Sequence, residues 1–222
     1  MKNDLKALHD DINEIIDDER KENPVTYHKG LPYQRYDRIG LEGTRWTPEK
    51  RIKDHGIDKV VKHGDVVLDI GCNTGFIIIE LAHSYSAGIV HGIEPNPWLC
   101  KVAELVAKYL SVSNAKFFDC KFDEFDTHTK YDVILTLAAF YTADGRERES
   151  SQEYFGRCFN LLKPGGSIIY ESVSYDSKVK SIHLTKAKEA MHALNTLFKP
   201  VESVIKPSGS PGWVREYFIG EK

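Results

Sequence analysis

Residues 66–76 bring together the side chains best placed to do chemistry: Val66-Val67-Leu68-Asp69-Ile70-Gly71-Cys72-Asn73-Thr74-Gly75-Phe76. An apolar run ends in an acid, a turn bounded by two glycines follows, and an apolar helical pattern runs from Phe76 to Ala82. That order is a parallel strand delivering the chain to a tight turn, where backbone approaches a ligand closely. Gly71 and Gly75 remove the β-carbons that would block the approach. The next apolar run, Gly88 to Ile93, ends in Glu94, about where an acid grips a ribose diol.

Two ligands compete for such a turn. A dinucleotide takes G-x-G-x-x-G, with backbone amides aimed at its pyrophosphate. Here the spacing is G-x-x-x-G with Asn73 at the centre, and Asp69 before it would repel a phosphate. An acid at that place suits an ammonium group. S-adenosylmethionine carries an ammonium, a sulfonium and a ribose diol, and no phosphate. The turn resembles motif I of class I S-adenosylmethionine-dependent methyltransferases, against the plainer reading of a strand–turn–helix in some other α/β protein.

Further segments follow in the order that family would require. Gly92-Ile93-Glu94-Pro95-Asn96-Pro97 resembles its second motif, Tyr131 to Leu137 its fourth strand, and Leu161-Leu162-Lys163-Pro164-Gly165-Gly166 the turn into its fifth. The resemblance covers roughly residues 45–175. It implies an α/β fold, a doubly wound, mostly parallel seven-stranded sheet with one antiparallel strand. It also implies that Gly71, Asn73 and Gly75 floor the methionyl part of the cofactor, Glu94 takes the ribose hydroxyls, Pro95 packs near the adenine, and Leu137 to Ala139 line the methyl group. Many members carry an adenine-reading acid after the third strand. Lys121 stands where that acid would align and Asp119 two residues early, so either Asp119 reads the adenine from a shifted loop or backbone and Phe122 hold it. Arg45 is a candidate for the cofactor carboxylate, since guanidinium binds carboxylates bidentately, or else a surface ion pair.

Methyl transfer needs in-line alignment more than help from side chains, because the sulfonium is already activated. A base that removes a proton from the acceptor is the remaining role, and Tyr141, Asp144, Glu171 and His28 are its candidates. The Asn/Asp-Pro-Pro-Tyr signature of nucleobase amino methylation is absent, with Leu137-Ala138-Ala139-Phe140 in its place. A Pro-Cys nucleophile is absent there too. Glu189 and His192 share a helix face, but no second pair stands at metal-binding spacing, so no metal is expected.

The elements that must position these groups show in the hydrophobic pattern. Leu5, Leu8, Ile12, Ile15 and Ile16 predict an amphipathic helix over 4–19. Residues 21–45 lack periodicity and carry tyrosines and arginines, which suits a cap over a substrate. Thr47-Pro48-Glu49 is a helix start. Strands are expected near 65–70, 89–93, 115–118, 131–137 and 167–173, and helices near 47–55, 75–84, 97–110, 148–162 and 178–198. Val201 to Ile205 and Val214 to Ile219 read as two strands joined by the Pro207–Gly212 turn. The chain divides into 1–45, an N-terminal helix with a substrate cap, and 46–222, a methyltransferase domain.

Composition narrows the class. At 222 residues with 41% apolar content, one α/β domain with an N-terminal extension is the natural reading. No run approaches the ~20 apolar residues of a membrane span, and the N-terminus lacks the apolar core of a signal peptide. Four scattered cysteines without paired spacing fit small buried thiols in a reducing cytoplasm. A net charge of −3 argues against a broad nucleic-acid surface, although residues 31–63 hold eight basic residues against five acids. The expectation is a cytoplasmic enzyme that moves a methyl group from S-adenosylmethionine to a small polar or saccharide acceptor at oxygen. A tRNA-modifying enzyme is the first rival, since the turn and the basic segment faintly resemble enzymes that finish wobble uridines. A non-catalytic partner subunit is the second. The oligomeric state stays open.

Overall fold

The computed structural model describes residues 2–22, 34–141, 149–208 and 211–222. In chain order the elements are α1 (Lys2–Glu22), α2 (Pro48–Asp54), α3 (Ile57–Val60), β1 (Val66–Ile70), α4 (Phe76–Ser84), β2 (Ile89–Ile93), α5 (Pro97–Tyr109), β3 (Ala115–Phe118), β4 (Tyr131–Leu137), α6 (Ser151–Leu161), β5 (Leu162–Glu171), β6 (Tyr175–Asp176), α7 (Ile182–Leu197), β7 (Lys199–Pro207) and β8 (Trp213–Glu221). Strands and helices alternate through most of the chain, the mark of an α/β protein. The chain divides into two compact units, Met1–Gly64 with Cys72–Phe125, and Asp65–Gly71 with Asp126–Lys222.

In the first unit β2 and β3 pair in parallel, Val90 opposite Ala115 and Ile93 opposite Phe118, with α5 as the crossover. Asn96 starts α5 by accepting a hydrogen bond from Trp98 N, and Pro97 follows at the first helical position, where its missing N–H costs nothing. Leu8, Ile12 and Ile16 bury one stripe of α1, which packs on α5. The helix runs a turn further than the apolar periodicity, because its polar end finds partners described below. Thr47 caps α2 as its sequence predicts. The short α3, which the sequence pattern does not reveal, follows the left-handed Gly56 and buries Ile57.

In the second unit β1 pairs with β4 and β4 with β5, all in parallel. β8 runs antiparallel to β5 and is flanked by β7 and the two-residue β6, both antiparallel to β8. Among the described residues there are eight strands, one more than the seven expected, and the additional one is β6. Within this unit β8 is the strand that runs against the others, as the resemblance implies.

The expected turn at Lys163–Gly166 is part of β5 instead. Tyr131 pairs with Leu162, but Val133 pairs with Ser167, so a bulge on β5 faces Asp132. The Asp132 carboxylate holds that bulge, accepting from Lys163 Nζ at 2.7 Å and from Val66 N at 2.8 Å. Leu162 also ends α6 earlier than expected. Among the described residues no helix is long and apolar enough to cross a membrane.

Candidate cofactor site

In the first unit the site grows from the turn that follows β1. Cys72 N donates to Ile93 O and Gly75 N to Cys72 O, which closes the turn. Asn73 takes φ +54° and Gly75 φ +68°, both left-handed. Asparagine is among the few side chains that tolerate this conformation. A β-carbon on Gly75 would lie 2.4 Å from the Phe117 ring and 2.9 Å from Ala103 Cβ. Gly75 therefore leaves room for Phe117 and Ala103 to pack against the turn.

Glu94 stands one residue past β2, its N–H still bonded to Phe118 O. Its carboxylate is nearly buried and anchored at both oxygens, Oε2 accepting from Asn73 N and Oε1 from Asn96 N, each at 3.0 Å. The acid thus ties the glycine-bounded turn to the start of α5. Asn73 Oδ1 is buried and has no hydrogen-bond partner among the described residues. An orphan acceptor beside an anchored carboxylate is a place for donors, which a ribose diol and an ammonium supply and a pyrophosphate does not.

The other expected cofactor residues of this unit are less committed. Pro95 is exposed. Lys121 is exposed and pairs with Glu124 at 2.8 Å, while Phe122 is buried. Arg45 is exposed beside Trp46, which is 66% exposed and whose ring lies under the Lys50 ammonium at 4.8 Å. Cys100 donates to Glu94 O, and burial first, then the Glu94 charge, push its thiol up to about 12. That is an inert structural thiol.

Several residues that sequence reasoning passed over hold this turn. Thr74 Oγ1 donates to Gln34 Oε1 at 3.0 Å, both buried. Tyr36 and Arg38 bind the Glu80 carboxylate on α4. Residues 34–41 are thus built into the first unit. His28 and Asp144, with the tyrosines 27 and 33 of the expected cap, lie outside the described residues.

In the second unit Asp69 is buried at the end of β1. Gly71 takes φ +73°, and a β-carbon there would meet Ala139 Cβ at 2.7 Å. Leu137 ends β4, and Ala138, at φ +60°, donates its N–H to Glu171 O at 2.7 Å. Tyr141 and Glu171, two of the expected catalytic residues, lie together with Ala138, Phe140, Ser172 and Lys186 around one small gap. Glu171 pairs with Arg215 at 3.2 Å, and Tyr141 stacks edge-on with His183. Lys186 is nearly buried and takes the Glu189 carboxylate at 2.7 Å, so Glu189 serves an ion pair within α7.

A methyltransferase-domain profile matches residues 61–215, from before the first strand into the last. The chain belongs to the methyltransferase-domain family. It is 31% identical over 77 residues to an (S)-tetrahydroprotoberberine N-methyltransferase of Eschscholzia californica, covering 35% of this chain and 22% of that protein. It is 24% identical over 162 residues to a ubiquinone biosynthesis O-methyltransferase of Klebsiella pneumoniae, covering 72% of this chain and 63% of that one. The chain thus spans less than two thirds of each of these curated relatives. Among solved structures, the N-methyltransferase NodS of Bradyrhizobium japonicum in complex with S-adenosyl-L-homocysteine superposes with a TM-score of 0.62 at 16% identity, over 78% of this chain and 86% of that one. The TYW2 protein of P. horikoshii superposes with a TM-score of 0.60 at 15% identity, over 87% and 69%. At such identities the superpositions speak for the fold alone.

Proposed function

We propose that this protein transfers a methyl group from S-adenosylmethionine to the oxygen of a small polar or saccharide acceptor. The single observation that carries the cofactor is Glu94, held by Asn73 N and Asn96 N next to the orphan Asn73 Oδ1. Acceptors gathered at a strand end suit a diol and a cation. They repel a pyrophosphate. When bound, the cofactor supplies an activated methyl group. The protein's part is to hold the adenosyl end on Glu94 and Asn73 and to orient an acceptor hydroxyl on Tyr141 and Glu171. The Glu171–Arg215 pair leaves Glu171 better suited to binding an acceptor than to removing its proton.

Four of the basic residues that favoured RNA are spent on acids of their own neighbourhood. Arg35 pairs with Asp37, Arg38 with Glu80, Lys50 with Asp54 and Lys53 with Asp58. This supports the small-molecule reading over tRNA. Residues 1–45 are proposed to close the cofactor and acceptor side, with 46–222 carrying the transfer, and the four free thiols suit a cytoplasmic setting. Isothermal titration with S-adenosylhomocysteine and with NAD tests the cofactor: tight binding of the first and weak binding of the second is expected, and equal affinities overturn the reading. Transfer of a labelled methyl group to a panel of polyols, phenols and tRNA then tests the acceptor.

A further inference from the structure

Glu94 is the acid that the sequence singles out for the ribose, yet both its oxygens already accept backbone N–H groups. A second carboxylate stands next to it in the chain of hydrogen bonds. Glu19, near the end of α1, is 4% exposed. Its Oε1 accepts from Asn96 Nδ2 at 3.1 Å, across 77 positions of sequence. Asn96 is the residue whose N–H holds Glu94 and whose Oδ1 caps α5. Asn96 therefore links three things, the α5 cap and α1 through its side chain and the Glu94 anchor through its backbone N–H.

Glu19 Oε2 is buried with no hydrogen-bond partner among the described residues, as is Asn73 Oδ1. Two orphan acceptors thus lie at the two ends of one bonded path, Glu19–Asn96–Glu94–Asn73. A buried acceptor without a donor is costly, and more so for a charged group. Nothing in the packing of α1 requires an acid there, since Leu8, Ile12 and Ile16 already supply the apolar stripe. Burial raises the Glu19 carboxyl, against the Asn96 bond and the Arg20 charge, both of which lower it. The position is strained for folding and suited to a ligand that brings donors.

We infer that α1 belongs to the cofactor site and that Glu19 is a cofactor-binding residue, accepting a ribose hydroxyl of the S-adenosyl group through Oε2. This rests on the methyl-donor reading above. The N-terminal helix is then a wall of the cofactor site.

The test is Glu19→Gln in the full chain. Glutamine can keep Oε1 on Asn96 Nδ2 while its amide turns a donor toward the hydroxyl. The variant is expected to melt, without ligand, at the same or a higher temperature, because a buried orphan charge is gone. S-adenosylhomocysteine should bind it about tenfold more weakly or worse, the range for a hydrogen bond to a charged group. Asp17→Asn, on the exposed side of the same helix, should bind as the unaltered protein does. Glu19→Asp, which keeps the charge but withdraws it by one methylene, should also bind weakly and serves if the glutamine variant does not fold. Unchanged affinity in a folded Glu19 variant overturns the inference and leaves the cofactor reading standing. Failure of the unaltered protein to bind S-adenosylhomocysteine overturns both.

Discussion

Arg38 lays two N–H groups on the Glu80 carboxylate, Nε at 2.9 Å from Oε2 and Nη2 at 2.7 Å from Oε1. Tyr36 adds its hydroxyl to Oε2 at 2.7 Å. Glu80 is 1% exposed, in a helix whose neighbouring positions from Phe76 to Leu81 are all buried. A carboxylate in that place is tolerable only with its partners on it. The clasp holds the segment around residue 38 to α4 across 42 positions of chain.

Arg38→Ala should therefore destabilise the protein by roughly 2–3 kcal/mol. The value lies below the range for fully buried pairs because Arg38 keeps part of its surface in solvent. Replacing Arg38 and Glu80 together by leucine should cost less than Arg38→Ala alone, since no charge is left buried. Urea unfolding of the three proteins measures both effects.

The same clasp sets an acid limit. Burial alone would raise the Glu80 carboxyl, but hydrogen bonds from Arg38, Ser84 and Tyr36 and the Arg38 charge outweigh it and hold the group below its ordinary 4.5. A group lowered on folding contributes stability that is complete above the unfolded value and is lost as pH falls through the folded one. The contribution of Glu80 should be complete above its ordinary 4.5 and be lost only as pH falls below it. In Arg38→Ala the lowering partners shrink and burial dominates, so the acid-unfolding midpoint should move to higher pH. Fluorescence-monitored acid titration of the two proteins shows the direction.

Glu94→Ala should weaken S-adenosylhomocysteine binding by about 1–3 kcal/mol, the range for bonds to a charged acceptor. The structure adds a second effect. The variant leaves Asn73 N and Asn96 N without their acceptor, so the protein without ligand should also melt lower. Titration calorimetry and thermal unfolding separate the two losses. Weak binding with no change in melting would mean that the turn stands without the acid.

Gly75→Ala and Gly165→Ala make an informative pair. Both glycines are left-handed, at φ +68° and +75°, so alanine costs about 1–2 kcal/mol at either for backbone alone. At Gly165 the new methyl group meets open space, whereas at Gly75 it meets Phe117 and Ala103. Overpacking adds about 1–3 kcal/mol, so Gly75→Ala should be the more damaging by that margin in urea unfolding.

Truncation gives a further check. A division of the chain at residue 45 implies a sheet domain that survives removal of residues 1–44. The structure argues otherwise, because Leu8, Ile12, Ile16, Tyr36, Ile39 and Leu41 are core residues. Burial of each is worth about 1.5–3 kcal/mol, and their sum rivals the whole ~5–15 kcal/mol of a typical domain. The truncated protein should lose its cooperative melt in calorimetry.

Much of the fold could be read locally. The strand–turn–helix at Val66–Phe76, the acid ending β2 and the bounds of β2, β3 and β4 all follow from apolar runs stopped by glycine, acid or proline. The bulge at Lys163–Gly166 looked like a plain turn because Pro-Gly-Gly marks irregular backbone without saying whether pairing continues. The polar contacts that assemble the site left almost no local trace. Gln34 meets Thr74 across 40 positions and Glu19 meets Asn96 across 77, and periodicity carries no information at that range. One signal was available. Glu80 is a lone acid within Phe-Ile-Ile-Ile-Glu-Leu-Ala, and a charge inside a stretch apolar on every face must have a distant partner.

The thiols turn a packing detail into an instrument. Cys72, Cys100 and Cys158 are buried, and burial drives the last two far from the thiolate form. Cys120 is half-exposed, two residues before Phe122, with its thiol raised by burial first and then by Asp119, Glu124 and Asp123. A maleimide dye at mildly alkaline pH should therefore attach at one position of the unaltered chain. Its fluorescence would report events at the loop after β3, with no cysteine removed and no tag added.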